Sequence, residues 1–404
     1  MHLLYNIGIH SLGFVMRILG LFSEKSKSWV NGRKSIFQNL PSTESKNVIW
    51  FHCASLGEFD QGLPLMEIIK KNNPDCFLLI TFFSPSGMQH YHKRDHLADH
   101  VMYLPLDTVK NAKKFINHFK PSESYFVKYE FWSNYIFQAK IIHSKLYNIS
   151  GIFREKHRFF KWYGGFFRKT LHSFDWFFVQ NEKSKNLLKS INIECVSVSG
   201  DSRYDRVIDN KKKVTGDPKL DDFCNGEQVL IIGSSWPADE KNILNILNAT
   251  SIKAIIAPHN VDSNHIKNII NKLTCKAVKY TKYQLSKDSV AQVLILDTIG
   301  QLSNAYSYGK IAYVGGGFSG ALHNILEPAV FGIPVIFGPK HHRFPEAQAF
   351  IDNNFGFSIE NQKDIEDALV KIENDLDSYQ KRANNFIEEN TGASQKIYDK
   401  ITSS

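Results

Sequence analysis

The segment KIAYVGGGFSGALHNILEPAVFGIPVIFGP, residues 310–339, sets Gly315, Gly316, Gly317 and Gly320 directly after an apolar run, and its pattern predicts a helix from His323 or Asn324 to Gly332. Residues without Cβ let backbone N–H groups approach an anion closely, and a helix N-terminus adds about half a positive charge. The segment reads as a phosphate cradle. Gly315, Gly317 and Gly320 also satisfy G-x-G-x-x-G, but that fingerprint expects an acid about 20 residues further on. Phe337, Gly338 and Pro339 stand there instead, which weakens a dinucleotide reading. Glu327, one turn beyond His323, could accept hydrogen bonds from ribose hydroxyls. The competing reading is a solvated helix acid before Pro328.

A second loop, in WFHCASLGEFDQGLP, follows the first apolar run and sets Glu58 at the start of the next helix. A carboxylate there could act as general base on a hydroxyl, an effect worth ~10² to 10⁴ in rate. An acid that merely suits the helix dipole is the commoner occupant of such a position. Ser84, Pro85, Ser86 and Gly87 form a further turn able to dock an anion, or simply a Ser cap. Ser234 and Ser235, in GSSWPADE at 233–240, repeat the design. The sixteen histidines show no H-E-x-x-H or comparable spacing, so no metal site is expected.

These loops need strands to hold them. NVIWFH (47–52), CFLLITFF (76–83), SYFVK (124–128), KLYNIS (145–150), DWFFVQ (175–180) and ECVSVSG (194–200) read as near-continuous apolar strands of a covered parallel sheet. After a polar connection at 210–227, QVLIIG (228–233), IKAIIAP (252–258), QVLILD (292–297), KIAYVG (310–315) and IPVIFG (333–338) make a second set, and helices fill 361–400. The fold class is therefore α/β, with two Rossmann-like domains facing each other across a cleft and ligands at the carboxyl ends of the strands. The expected boundaries are an N-terminal segment 1–30, a first domain 31–208 and a second domain 209–404.

Lys and Arg number 49 against 40 Asp and Glu, a net charge of +9 that suggests a polyanionic partner. Five scattered cysteines without a C-x-x-C pair suggest a reducing compartment and no structural zinc. No apolar run reaches the roughly 18 residues of a membrane span. The N-terminus MHLLYNIGIHSLGFVMRILGLF is instead amphipathic. On a helix Leu4, Ile7, Phe14, Val15, Ile18 and Phe22 share one face, and Arg17, Lys25, Lys27, Arg33 and Lys34 add charge. Such a helix lies in a membrane interface or packs on the protein's own core. Residues 153–169 interleave seven aromatics with six basic residues, among them Arg154, Arg158, Lys161 and Arg168, which suits a membrane interface or phosphorylated lipid. No RNP, KH or helix-turn-helix pattern accompanies them, so nucleic acid is not expected as a partner.

With these residues assembled, the sequence resembles the 3-deoxy-D-manno-octulosonic acid (Kdo) transferases of lipid A biosynthesis, glycosyltransferases of the GT-B fold with an N-terminal membrane-associating helix. The resemblance rests on HCASLGEF from residue 52, TFFSPSG at 81–87, YEFWSN at 129–134, VQNEKS at 179–184, GDSRYDRV at 200–207, GSSWPADE at 233–240 and HNILEPAVFGIPVIFGP at 323–339, in the family's order. It implies Glu58 as the base, with Glu130, Ser84, Ser86, Gly87 and Arg203 on the acceptor side. Ser234, Ser235, Gly316, Gly317, Asn324 and Glu327 would hold the cytidine monophosphate portion of the donor. It further implies CMP-Kdo as donor, a lipid A precursor as acceptor, inversion by single displacement, no metal or other cofactor, and a place on the cytoplasmic face of a bacterial inner membrane. Three departures stand out: Lys128 where relatives often have an acid, Pro258-His259 in place of Pro-Arg-His, and residues 150–165 in place of Asn-Ala-Arg-Leu-Ser. Two alternatives stay open, another GT-B enzyme such as a UDP-sugar transferase or epimerase, and a non-catalytic membrane or nucleic-acid binding protein on the same fold.

Overall fold

Every apolar run named above becomes a strand, and each strand is parallel to its neighbours. The computed structural model describes residues 1–91 and 97–403, and the chain divides into two units, Met1–Arg206 with Thr391–Ser404, and Val207–Asn390.

The first unit opens with α1 (His2–Leu19) and α2 (Glu24–Asn31). Then come β1 (Val48–Cys53), α3 (Leu56–Asn72), β2 (Phe77–Phe82), α4 (Pro85–Tyr91), β3 (His100–Tyr103), α5 (Val109–Phe119), β4 (Glu123–Val127), α6 (Ser133–Ile141) and β5 (Lys145–Gly151). The unit continues with α7 (Gly165–Leu171), β6 (Trp176–Val179), α8 (Glu182–Lys189), β7 (Val196–Val198) and the start of α9 (Arg203–Lys212). Its sheet runs β3-β2-β1-β4-β5-β6-β7. Alternate residues of β1 enter two separate cores, Val48 and Trp50 on one face and Ile49, Phe51 and Cys53 on the other, as expected of a strand covered on both sides.

The second unit contains α10 (Pro218–Cys224), β8 (Val229–Ser235), α11 (Pro237–Ala249), β9 (Ala254–Pro258), α12 (Ser263–Lys272), β10 (Ala277–Lys279), β11 (Val293–Ile295) and α13 (Leu302–Ala305). It ends with β12 (Gly309–Val314), α14 (Leu326–Ala329), β13 (Val335–Phe337), α15 (Pro345–Asp352), β14 (Gly356–Ser358), α16 (Gln362–Glu373) and α17 (Leu376–Asn390). Its strand order is β10-β11-β9-β8-β12-β13-β14.

Three differences from the sequence reading have physical causes. β3, β10 and β14 were not expected, and all three are short sheet edges, where one flank is open and no continuous apolar run is needed. The polar stretch 210–227 is not a bare linker: Asp217 caps α10 with Pro218 at its first turn, and the division between units falls inside α9. The last helix, α18 (Ala393–Thr402), belongs to the first unit rather than the second. Ile397 joins the core beside α3, and the Asp205 carboxylate accepts from the Gly392 and Ser394 N–H groups at 2.7 Å each.

Candidate active site

Each sheet reverses its direction of growth once, between β1 and β4 in the first unit and between β8 and β12 in the second. The loops leaving those four strands are where an open parallel sheet binds ligands. They carry Glu58, Glu130, the Ser234-Ser235 pair and the glycine run 315–317, so the chain's topology gathers the predicted residues two loops at a time.

Glu58 is the third residue of α3 and closes a capping box with Ser55. Its Oε2 accepts from the Ala54 N–H and, at 3.2 Å, from the Ser55 N–H. A capping carboxylate on the surface stays acidic. Glu58 is 7% exposed, and its pKa is pushed up to about 7. Burial is the main cause and the Glu130 charge adds to it, outweighing Lys128 and the two N–H donors. A carboxyl group titrating there is suited to take a proton at neutral pH. Lys128 itself holds a left-handed backbone with φ +60°, as does Ser150 at +51°, and both lie at strand carboxyl ends, where strain gathers at functional sites.

Glu130 is held by a network that the sequence reading did not contain. Trp132 Nε1 donates to Glu130 Oε2 and to His52 Nε2, both at 3.0 Å. His52 is fully buried near the end of β1, with Nδ1 2.9 Å from Thr81 Oγ1. Because Nε2 accepts from the indole, the network assigns the proton to Nδ1, donating to Thr81. His52 Nε2 lies 3.8 Å from Glu130 Oε2. A histidine among apolar strand residues was the available signal. Arg33, grouped above with surface charge, is also turned inward. It donates to the Phe83 carbonyl at 2.7 Å and lies over the Trp29 ring, and burial lowers its pKa to about 9. Phe83 in turn stacks on Trp132 at 4.6 Å.

The turn after β2 adjoins the Glu58 loop, since the Ser84 N–H donates to the Ala54 carbonyl at 2.8 Å. Ser84 and Ser86 hydroxyls pair at 2.7 Å. Gly87 serves packing: a Cβ there would stand 2.1 Å from the Phe82 ring. Arg203, in the first turn of α9, pairs with Asp201 at 2.7 Å.

In the second unit the glycine loop departs from the expected cradle. The Gly316 N–H donates to Asp239 Oδ2 at 3.0 Å and the Gly315 N–H to the Gly233 carbonyl at 2.9 Å, so neither is free for an anion. Close backbone approach is what demands the glycines. A Cβ on Gly315 would meet the Ser234 carbonyl at 2.3 Å, one on Gly317 the Gly338 nitrogen at 2.4 Å, and Gly316 has φ +90°. The helix expected from His323 or Asn324 shrinks to the four residues of α14, too short for a developed macrodipole. Asn324 Nδ2 donates to Glu327 Oε1 at 3.1 Å. Ser235 is buried with its hydroxyl on Glu240 at 3.1 Å, while Ser234, at φ +51°, has a hydroxyl with no hydrogen bond among the described residues. Trp236 stacks on His259 at 4.1 Å and donates to His323 Nε2 at 3.2 Å, an aromatic group beside these loops that went unread.

The amphipathic helix packs one face on its own unit and leaves the other exposed. Tyr5, Ile9 and Gly13 turn toward the first unit, whereas Leu4, Ile7, Phe14, Val15, Ile18 and Phe22 are all exposed, with Arg17 beside them. The basic aromatic stretch splits too. Phe153 and Phe159 are core, Trp162 is 91% exposed, and Arg154 is on the surface. Arg168 is turned inward, donating to the Phe159 and Lys161 carbonyls at 3.0 and 2.8 Å, and Arg158 lies over the Phe167 ring. A cavity of about 620 Å³ between α1 and this stretch is lined by Tyr5, Ile9, Glu130, Trp132, Lys156 and Arg158. No helix among the described residues is long and apolar enough to cross a membrane, and no group of three or more His, Cys, Asp or Glu there could hold a metal ion.

Two seven-stranded parallel sheets, each in its own unit, make this an α/β fold of the GT-B type. MurG from Acinetobacter baumannii superposes with a TM-score of 0.52 at 11% identity, covering 89% of this chain and all of that one. The UDP-GlcNAc 2-epimerase from Methanocaldococcus jannaschii gives 0.54 at 15% identity, covering 80% of this chain and 91% of that one. At such identities the likeness concerns the fold alone. Residues 31–206 match the family model described as 3-deoxy-D-manno-octulosonic-acid transferase (kdotransferase). Relatives named 3-deoxy-D-manno-octulosonic acid transferase are 28% identical in Rickettsia prowazekii (89% of this chain, 80% of the relative) and 26% identical in Aquifex aeolicus (84% and 90%). Residues 31–206 thus form a Kdo transferase family domain, and most of the chain is similar to glycosyltransferases of that name.

Proposed function

We propose that the protein transfers Kdo from CMP-Kdo to a lipid A precursor, with Glu58 as general base and inversion by a single displacement. Glu58 takes the proton of the attacking sugar hydroxyl as the new bond to the anomeric carbon forms and the bond to the CMP phosphate breaks. CMP leaves with the electron pair. The observation that carries this reading is the buried Glu58 carboxyl, titrating near pH 7 beside Glu130 at the switch point of the first sheet. Glu130, fixed by Trp132, raises the basicity of Glu58 and lines the acceptor side. On the donor side Ser234, Asn324 and Glu327 offer the polar groups for CMP. Ser235, Gly316 and Gly317 act by shaping the turns that present them, and Arg203 supplies charge from the end of the first unit.

The acceptor is anchored in a bilayer, so the enzyme works at an anionic membrane surface, the cytoplasmic face of the bacterial inner membrane. The exposed apolar face of α1, with Arg17, Arg154 and Trp162, supports insertion aided by headgroup attraction. The pocket that α1 shares with Glu130 would receive the acceptor, with Lys156 and Arg158 at its wall. Mass spectrometry of a lipid A precursor in anionic liposomes, incubated with the enzyme and CMP-Kdo, should show addition of Kdo. The addition should persist in excess EDTA, because the reading assigns no step to a metal. No mass gain with CMP-Kdo, or a gain only with a UDP-sugar, would refute it.

A further inference from the structure

The helix that follows Glu130 and Trp132 lacks a cap of its own. Trp132 occupies the N-cap of α6 and makes no side-chain capping bond. The first-turn N–H groups are satisfied from elsewhere. Asn134 N donates to Asp107 Oδ2 at 3.2 Å, Tyr135 N to Asp107 Oδ1 at 3.1 Å, and Ser133 N to the hydroxyl of Tyr5 at 3.3 Å. Tyr5 in turn donates to Asp107 Oδ2 at 2.5 Å. Asp107 is 1% exposed, so this cap is shielded from water and holds its partners closely. Tyr5 belongs to α1, more than a hundred residues earlier in the chain.

Further contacts fasten α1 to the same spot. Asn134 Nδ2 donates to Asn6 Oδ1 at 2.9 Å, a His2 ring nitrogen lies 2.8 Å from Asn134 Oδ1, and the Tyr5 ring packs on Phe166 at 5.3 Å. Gly13 lets α1 lie against the segment carrying Asp107, since a Cβ there would reach Leu106 at 2.6 Å. An element that only anchored a protein to a membrane would need apolar packing, not a buried hydroxyl spent on another helix's first turn.

We infer that α1 is a positioning element for the acid pair as well as a membrane anchor: Tyr5, acting with Asp107, supplies the missing cap of α6 and thereby fixes Trp132 and Glu130. This rests on the reading of Glu58 and Glu130 given above. Neither Tyr5 nor Asp107 touches the reacting atoms in this reading. Their effect passes through Trp132, whose indole N–H is shared between His52 and Glu130.

The test uses the full-length chain with Tyr5→Phe, which keeps the ring and removes the hydroxyl. Turnover is measured on a soluble, deacylated acceptor, so that membrane docking plays no part. The inference expects kcat to fall about tenfold, the loss of one charge-assisted bond, with KM for CMP-Kdo and flotation with anionic liposomes unchanged. Asp107→Asn, which keeps one acceptor oxygen, should lose less than Asp107→Ala. The indole ¹⁵N–¹H resonance of Trp132, identified by its absence in Trp132→Phe, should shift in Tyr5→Phe while the other indole resonances stay in place. A full-rate Tyr5→Phe enzyme on the soluble acceptor, or an unmoved Trp132 resonance, would overturn the inference and leave α1 an anchor only. Should the wild type fail to transfer Kdo at all, the functional reading falls, and the resonance still decides whether Tyr5 fixes Trp132.

Discussion

Glu58 and Asp239 occupy the same place in the two halves of the chain. Each is the third residue of the helix that follows a strand bordering the switch point, and each accepts a backbone N–H from the residue at its own N-cap. Asp239 is fully buried, and both its oxygens are spent: Oδ1 accepts from the Tyr313 hydroxyl at 2.8 Å, and Oδ2 from the Trp236 and Gly316 N–H groups. Glu58 uses Oε2 alone for its two N–H donors and keeps Oε1 without a hydrogen bond among the described residues. A buried carboxylate with both oxygens answered is a structural bolt, whereas one with an idle oxygen and an acidic neighbour holds a proton loosely near neutral pH. The same local pattern thus serves architecture in one unit and, in the proposed reaction, chemistry in the other.

Removing each acid should pull the two apart. Asp239→Ala leaves two buried donors and one half-buried donor unpaired and should cost about 4 kcal/mol of stability of the second unit, read as a large drop in its melting temperature. A loss below about 1 kcal/mol would make Asp239 a poor counterpart. Glu58→Gln should act in the opposite sense. The folded-state pKa of Glu58 is raised from its usual 4.5 to about 7, so its ionisation costs folded stability increasingly as pH rises between those values. The Gln variant should melt like wild type near pH 4 and be more stable above pH 7, by about 3 kcal/mol. Equal melting curves at pH 8 would show that Glu58 is not held out of water. The donor loops give the smallest effect: Glu327→Ala should weaken CMP binding by ~1.5 to 3 kcal/mol, and calorimetry with unchanged affinity would return Glu327 to the role of a helix acid.

The strands of both sheets were legible because each interior strand is apolar on both faces, which leaves runs such as VIWFH and VLIIG unmistakable. Of the edge strands only β7 was legible, since HVMY and AVK carry no such run. Glu58 was legible as a loop acid, but its burial and the idle oxygen were not, because both depend on Glu130 and on the strand packing around it. The glycine loop shows the opposite failure. Its residue types were legible and its packing was not, for whether a glycine presents its N–H to a ligand or admits a neighbouring backbone depends on what stands opposite it, here Asp239, Ser234 and Gly338. The network of His52 and Trp132 and the cap from Tyr5 and Asp107 join residues 80 and 102 positions apart, beyond any local pattern.

The central claim is that Glu58 is the base, and the turnover of Glu58→Gln tests it most directly. Wild-type kcat should rise with pH through about 7, as the carboxyl loses its proton. The variant should turn over ~10² or more times slower, with KM for CMP-Kdo near normal and without that rise. A Glu58→Gln enzyme turning over at close to the wild-type rate, with the same pH profile, would contradict the account.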